Sequence, residues 1–406
     1  MIRAAIALTL ILILPGCERS SSPPAETASI LRDTDPNLLT MLNGATVVSR
    51  TGEASLGLSA LHAIDGDHST VWAVPPGDLE QSVTIALGRE VMLERVGIHF
   101  GAMRTPQPAR SLRFEGSRDG TEFAPLGTIE AEEKPENWLA IEPVAATHLR
   151  VTILGAFGEN SINAQVPALL ADGETRSLPP VPNLRGRWRI NNFEATISTA
   201  ERIVEGVTTE DPPRVFRGAW DGRAVRFAWS HGLEHGVGVL VADPQGKVLN
   251  AMMWHLKAHP PFAMPAWFGE RTGEPEGVVT APPIMDVFFR TEGRFPLHDL
   301  VFEGAALLPG SERTLQSLVE LIEANPAGTF RFAAHYVSEG TEQEDLEMSK
   351  GRLESLRSGL TRLGLSPELA GYDAAVRRDL RDLPWTQAEL LLNNRIDLEL
   401  TRQPGE

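Results

Sequence analysis

Along most of the chain apolar and polar residues alternate in short runs, and only in the last third does the period lengthen. Between residues 37 and 156 the runs Val83-Thr-Ile-Ala-Leu87, Arg95-Val-Gly-Ile-His-Phe100, Leu112-Arg-Phe-Glu-Gly116 and His148-Leu-Arg-Val-Thr-Ile153 keep a period of two. Gly, Asp, Asn and Pro break them at regular spacing, which predicts a β sandwich or jelly roll. The alternation fades over residues 156–183, where Ser177-Leu-Pro-Pro-Val-Pro-Asn183 reads as a stiff linker. A second β-rich unit is expected over residues 184–257, from Gly186-Arg-Trp-Arg-Ile190 to the strands after Asp221-Gly222 and Pro244-Gln-Gly-Lys247, both plausible hairpin turns. A closed barrel and an open sheet are both compatible with it. Residues 258–287 are rich in Pro and Gly and read as a connector. From residue 288 the pattern predicts a strand at Leu297–Phe302 and a helix over Ser311–Asn325 with Leu315, Leu318, Val319 and Ile322 on one face, stopped by Pro326. A strand at Phe330–His335, a helix over Glu344–Leu363 and a final strand at Ile396–Leu400 complete a βαβα…β order. The fold class is therefore multidomain: a β jelly roll, a middle β-rich unit and a C-terminal α+β unit over residues 288–402.

The N-terminus changes where such a chain can work. Arg3 precedes an uninterrupted apolar run from Ala4 to Leu14, too short to span a bilayer but fitting the hydrophobic region of a secretory signal. The run ends in Leu14-Pro-Gly-Cys17, which resembles a bacterial lipobox, and Cys17 is the only cysteine among 406 residues. The resemblance implies removal of residues 1–16 and lipidation of the Cys17 thiol, with Ser/Pro/Glu-rich residues 17–36 as a flexible spacer. Glu18 follows, without the Asp that favours inner-membrane retention, so the expected location is the outer membrane, facing the periplasm. The net charge of −17 argues against nucleic acid as a partner.

Three phrases narrow the first unit. Ala63-Ile-Asp-Gly-Asp-His-Ser-Thr-Val-Trp72, Gln81-Ser-Val-Thr-Ile-Ala-Leu-Gly88 and Phe114-Glu-Gly-Ser-Arg-Asp-Gly120 stand in the order found in discoidin domains, and the unit resembles that coagulation-factor C-type, galactose-binding-like family. The resemblance implies a ligand, glycan among the candidates, held in loops at one end. It also implies a structural Ca²⁺ in the Asp-Gly-Asp loop, with Asp65, Asp67 and Thr70 as its hard oxygen ligands. The same residues are equally compatible with an Asx turn that caps backbone N–H groups.

The last unit resembles the OmpA-like peptidoglycan-binding domain. The resemblance rests on Phe302-Glu-Gly-Ala-Ala-Leu-Leu308, Asn325-Pro326, Ala334-His335, Met348-Ser-Lys-Gly-Arg352 and Asn393-Asn-Arg-Ile-Asp-Leu398, in order and spacing. That family holds the carboxylate of a stem-peptide diamino acid with an Arg on the second helix, and its ammonium with an Asp in the preceding turn. Arg352 occupies the Arg position, whereas Val337 stands where the Asp belongs. A guanidinium forks onto a carboxylate, so Arg352 is the candidate peptidoglycan ligand. It is also placed to pair with Glu347 or Glu354 on its own helix.

Catalytic patterns fare poorly. His231-Gly-Leu-Glu-His235 has the spacing of a zinc-peptidase motif, but that chemistry needs a helix, and glycines and alternating runs surround it. Trp188, Trp220, Trp229, Trp254 and Trp267 read as core of the middle unit. The sequence thus points to a non-enzymatic outer-membrane lipoprotein that links the membrane to the cell wall and carries a discoidin-like ligand-binding module. The alternative is an envelope adaptor whose degenerate OmpA-like domain binds protein.

Overall fold

The computed structural model describes residues 37–68, 70–75, 77–100, 107–158, 164–175, 182–255, 262–263, 265–274, 284–291, 293–308, 310–336, 341–375 and 394–401. The signal, Cys17, the spacer and Val337 lie outside the described residues.

The first unit is built on two long strands. Strands β1 (Thr46–Arg50), β2 (Ser82–His99), β3 (Ala109–Ser117), β4 (Ala124–Glu130), β5 (Glu136–Ala156) and β6 (Ala168–Thr175) run in the order β1-β2-β5-β3-β4, with β6 also on β2. All pairings are antiparallel. β2 and β5 change register between Ala86 and Val91, where Gly88 takes φ +70°, a left-handed value that a residue with a Cβ adopts at a cost. The bend lets one strand pair serve both halves of the sandwich and close over Ile85, Val96, Phe114, Leu149 and Val151. The unit does not end at residue 156. β6 falls inside the stretch read as losing its alternation, because Ala168-Leu-Leu-Ala171 is buried on both faces and so shows no period.

Strands β7 (Gly186–Ile190), β8 (Phe193–Ala200), β9 (Ile203–Thr208), β10 (Arg214–Trp220), β11 (Val225–His231), β12 (Glu234–Ala242), β13 (Val248–His255) and β14 (Trp267–Gly273) form an eight-stranded closed barrel. Sequential hairpins join β7 through β13, and closure comes from β14 pairing with both β13 and β7. The barrel therefore reaches past residue 257, and its closing strand lies in the segment expected to be a connector. Trp267-Phe-Gly-Glu-Arg is too short and too close to prolines to announce itself by period. Trp188, Ile197, Phe216, Phe227, Trp229, Leu249 and Trp267 belong to one buried cluster that fills the barrel.

Helix α1 (Ile284–Thr291) leads into the last unit, where β15 (Arg294–Pro296), β16 (Thr329–His335), β17 (Ala370–Ala375) and β18 (Arg395–Thr401) form a sheet in the order β15-β18-β16-β17. β16 and β17 are parallel and the other pairs antiparallel. Helices α2 (Glu312–Ala324) and α3 (Glu342–Arg362) pack Leu315, Leu318, Leu356 and Leu360 onto the sheet. α3 begins with a capping box, Thr341 accepting from the Glu344 N–H and Glu344 from the Thr341 N–H. The strand expected at Leu297–Phe302 is instead split: β15 ends at Pro296, the chain turns at His298-Asp299, and Phe302–Glu303 pairs with Ala306–Leu307 as a small hairpin.

The three units share their cores. On β12, Val237, Val239 and Val241 face the first unit while Leu240 and Ala242 face the barrel interior, which explains the unbroken apolar run. Asn250 of β13 accepts the Val47 N–H at 2.6 Å in that buried seam. On the other side Val215 and Ala228 join the core of the C-terminal unit, and Arg217 donates to Asp299 at 2.9 Å.

Candidate functional site

The loop after a short 3-10 turn (Ala60–Ala63) carries Asp65, Asp67 and Thr70. Asp65 is 1% exposed. Its Oδ1 accepts the Asp67 N–H at 2.8 Å, and its Oδ2 accepts the Thr70 hydroxyl at 2.8 Å. Thr70 Oγ1 also lies 2.8 Å from the Asp67 carbonyl. The structure thus brings the three predicted residues together, with Asp65 as the hub of an Asx turn. Burial pushes the Asp65 carboxyl well above the usual range, and the Asp67 N–H and Thr70 hydroxyl only partly offset it. The loop gathers oxygen atoms only, the ligand type a hard divalent cation takes, while no cluster of three or more His, Cys, Asp or Glu side chains placed to hold a metal ion is present among the described residues.

Arg352 lies on α3, buried, with its guanidinium 4.6 Å from the Tyr336 ring and 5.4 Å from that of Phe302. Its Nε donates to the Gly304 carbonyl at 2.9 Å. Gly351 makes that approach possible: a Cβ there would come within 2.7 Å of the Ala305 Cβ, so a larger residue would push the 302–307 hairpin off the helix. Arg352 does not lie out on the helix surface. It lines a cavity of about 350 Å³ between the barrel and the C-terminal unit, with Gly304 and Glu303 beside it.

The rest of this cavity comes from both units, and its barrel residues carry no sequence signal. Arg202, Arg223 and Arg226 reach it from the barrel, His298 and Arg395 from the C-terminal unit. Arg395 is held by Asp397 through two bonds, at 2.7 and 2.8 Å. Burial opposes the charge on Asp397, but Arg395 and His335 outweigh it and hold that carboxyl well below the usual range.

His231 and His235 fall on a hairpin, not a continuous strand. His231 pairs with Glu234 and Ser230 with His235, so the two imidazoles face opposite sides of the barrel wall. His235 packs on Phe288 of α1, ring centroids 4.9 Å apart, while His231 Nδ1 lies 3.4 Å from Arg214 Nη2. One zinc ion cannot reach both.

A family model, the F5/8 type C domain, matches residues 45–165. This span is a discoidin-like domain. It takes in β1 to β5 and the Asp65 loop, and leaves the barrel and the C-terminal unit outside. No curated protein matches the chain. Among solved structures the chain is similar to the C-terminal domain of a chitobiase from Bacteroides fragilis, at 22% identity over 34% of this chain and 98% of that one, TM-score 0.30. It is also similar to a Clostridium perfringens module solved with GalNAc-β-1,3-galactose, at 20% identity over 32% and 99% of the chains, TM-score 0.28. A chitosan-binding module of a Paenibacillus chitosanase/glucanase, in complex with chitotriose, matches at 16% identity over 33% and 100%, TM-score 0.28.

Proposed function

We propose that this protein is a non-enzymatic cell-envelope lipoprotein, anchored at the outer membrane through Cys17, whose C-terminal unit is OmpA-like and holds peptidoglycan, and whose discoidin-like domain takes a glycan. The observation that carries the wall-binding part is the burial of Arg352 in the lining of a cavity large enough for a short peptide end. There its guanidinium receives a stem-peptide carboxylate. Glu303, exposed on the hairpin beside it, supplies the acceptor for an ammonium that Val337 cannot. No helix among the described residues is long and apolar enough to cross a membrane. Anchorage in this reading rests on the lipid.

The test is co-sedimentation of the full chain with isolated peptidoglycan sacculi. Wild type pellets, Arg352→Ala stays in the supernatant, and Glu303→Gln pellets weakly. If the wild type does not pellet, the unit is an adaptor for protein instead.

In the discoidin-like domain Asp65, Asp67 and Thr70 would hold Ca²⁺, which would supply positive charge to the buried Asp65 carboxylate and lock the loop. Millimolar Ca²⁺ then raises the Tm of the wild type and leaves that of Asp65→Asn unchanged. Equal shifts in both would remove the ion from this loop.

A further inference from the structure

We infer that the cavity between the barrel and the C-terminal unit is a composite site for a small polyanion, with the barrel wall supplying half of it. Its lining holds five arginines, Arg202, Arg223, Arg226, Arg352 and Arg395, against two carboxylates, Asp221 and Glu303, in a chain whose net charge is −17. One of those carboxylates is engaged locally, Asp221 accepting from Arg226 Nε at 3.1 Å. Arg395 is already paired with Asp397 and contributes field more than bonding capacity.

His298 is the second, independent sign. It is 7% exposed, it lines the cavity, and its Nε2 is buried with no hydrogen-bond partner in the protein. A buried polar atom left unsatisfied costs free energy, which a ligand donor or acceptor would recover. Its carboxylate and arginine surroundings also speak to the field: burial, Arg395 and Arg226 together press the imidazole down to about 3, with only Asp397 opposing. The ring is therefore neutral and adds hydrogen bonding without adding charge.

Positive charge extends behind the wall. Arg89 of the discoidin-like domain is buried, its Nε has no partner, and burial together with Arg223 lowers its guanidinium to about 10. A cleft whose lining carries an excess of one sign of charge draws ions of the other sign. Arginines reach the cavity from both units, which suits a molecule bearing at least two anionic groups, carboxylate or phosphate, one toward Arg352 and one toward Arg202 and Arg223. Guanidinium forks bind either group. The inference deepens the wall-binding reading and rests on it only for the role of Arg352.

Titration calorimetry of the full chain with two probes, tricarballylate and inorganic pyrophosphate, tests it. At least one probe binds one to one with a Kd in the millimolar range or tighter, weakening as salt rises. Arg223→Gln and Arg202→Gln each reduce that affinity at least tenfold with the unfolding midpoint retained, and Arg202→Lys keeps part of it. The probe that binds tells carboxylate from phosphate ligands. Failure of both probes, or affinities unchanged within twofold in both Gln variants, overturns the proposal. Probe binding by a chain that does not pellet sacculi refutes wall binding and leaves the composite site standing. Pelleting without probe binding does the reverse.

Discussion

Asp65 and Asp397 are the same residue type at the same 1% exposure, yet their carboxyls move in opposite directions. In the discoidin-like domain Asp65 meets backbone N–H groups and a hydroxyl, with the like charge of Asp67 nearby, and burial prevails. In the C-terminal unit Asp397 meets the Arg395 fork at 2.7 and 2.8 Å and His335 at 3.4 Å, and charge prevails over burial. Burial alone does not decide the state of a carboxylate; the formal charge beside it does. The first loop sets no cationic side chain beside its carboxylate among the described residues. The second region holds arginines in excess of its acids.

The largest expected effect comes from breaking the charged pair. Asp397→Ala leaves Arg395 buried without its carboxylate and is expected to cost about 3–5 kcal/mol in urea unfolding. The contrast also sets the response to acid. Asp397 lies below the usual range when folded, so its stabilisation is complete at neutral pH and is lost as the pH falls below about 4. Asp65 lies above that range, so its burden is present at neutral pH and is relieved as acid protonates it. Melting curves from pH 7 to pH 3 should therefore show an Asp65→Asn chain losing more stability on acidification than the wild type. At neutral pH without Ca²⁺, Asp65→Asn should destabilise by no more than about 1 kcal/mol, because its amide oxygen still accepts the Asp67 N–H and the burden of the buried charge is gone. A loss of several kcal/mol there would show that the charge itself holds the loop. The smallest effect belongs to a surface pair: Arg118→Ala, opposite Glu90 at 2.9 Å, should cost under about 0.5 kcal/mol.

What the sequence revealed follows the same division between local and assembled features. Alternation located most strands of the first two units, and heptad-like spacing located α2 and α3. The Asp65 loop was legible because its three residues sit within six positions. Strands β6 and β14 were missed because burial on both faces, or brevity beside prolines, erases a period of two. The arginine cavity was invisible because Arg202, Arg226 and Arg395 are distant in sequence and meet only when barrel and C-terminal unit pack. Arg352 was singled out by motif position, but its burial against Phe302 and Tyr336 depends on Gly351 letting the hairpin close, which no spacing announces.

The central claim is that Arg352 and the barrel arginines form one anion site that engages the cell wall. The direct measurement is release of the full chain from sacculi by the small anion that binds it, with Arg352→Ala as the blank. The account predicts pelleting that depends on Arg352 and is displaced by millimolar probe. Pelleting that persists in Arg352→Ala, or that saturating probe does not disturb, would contradict it.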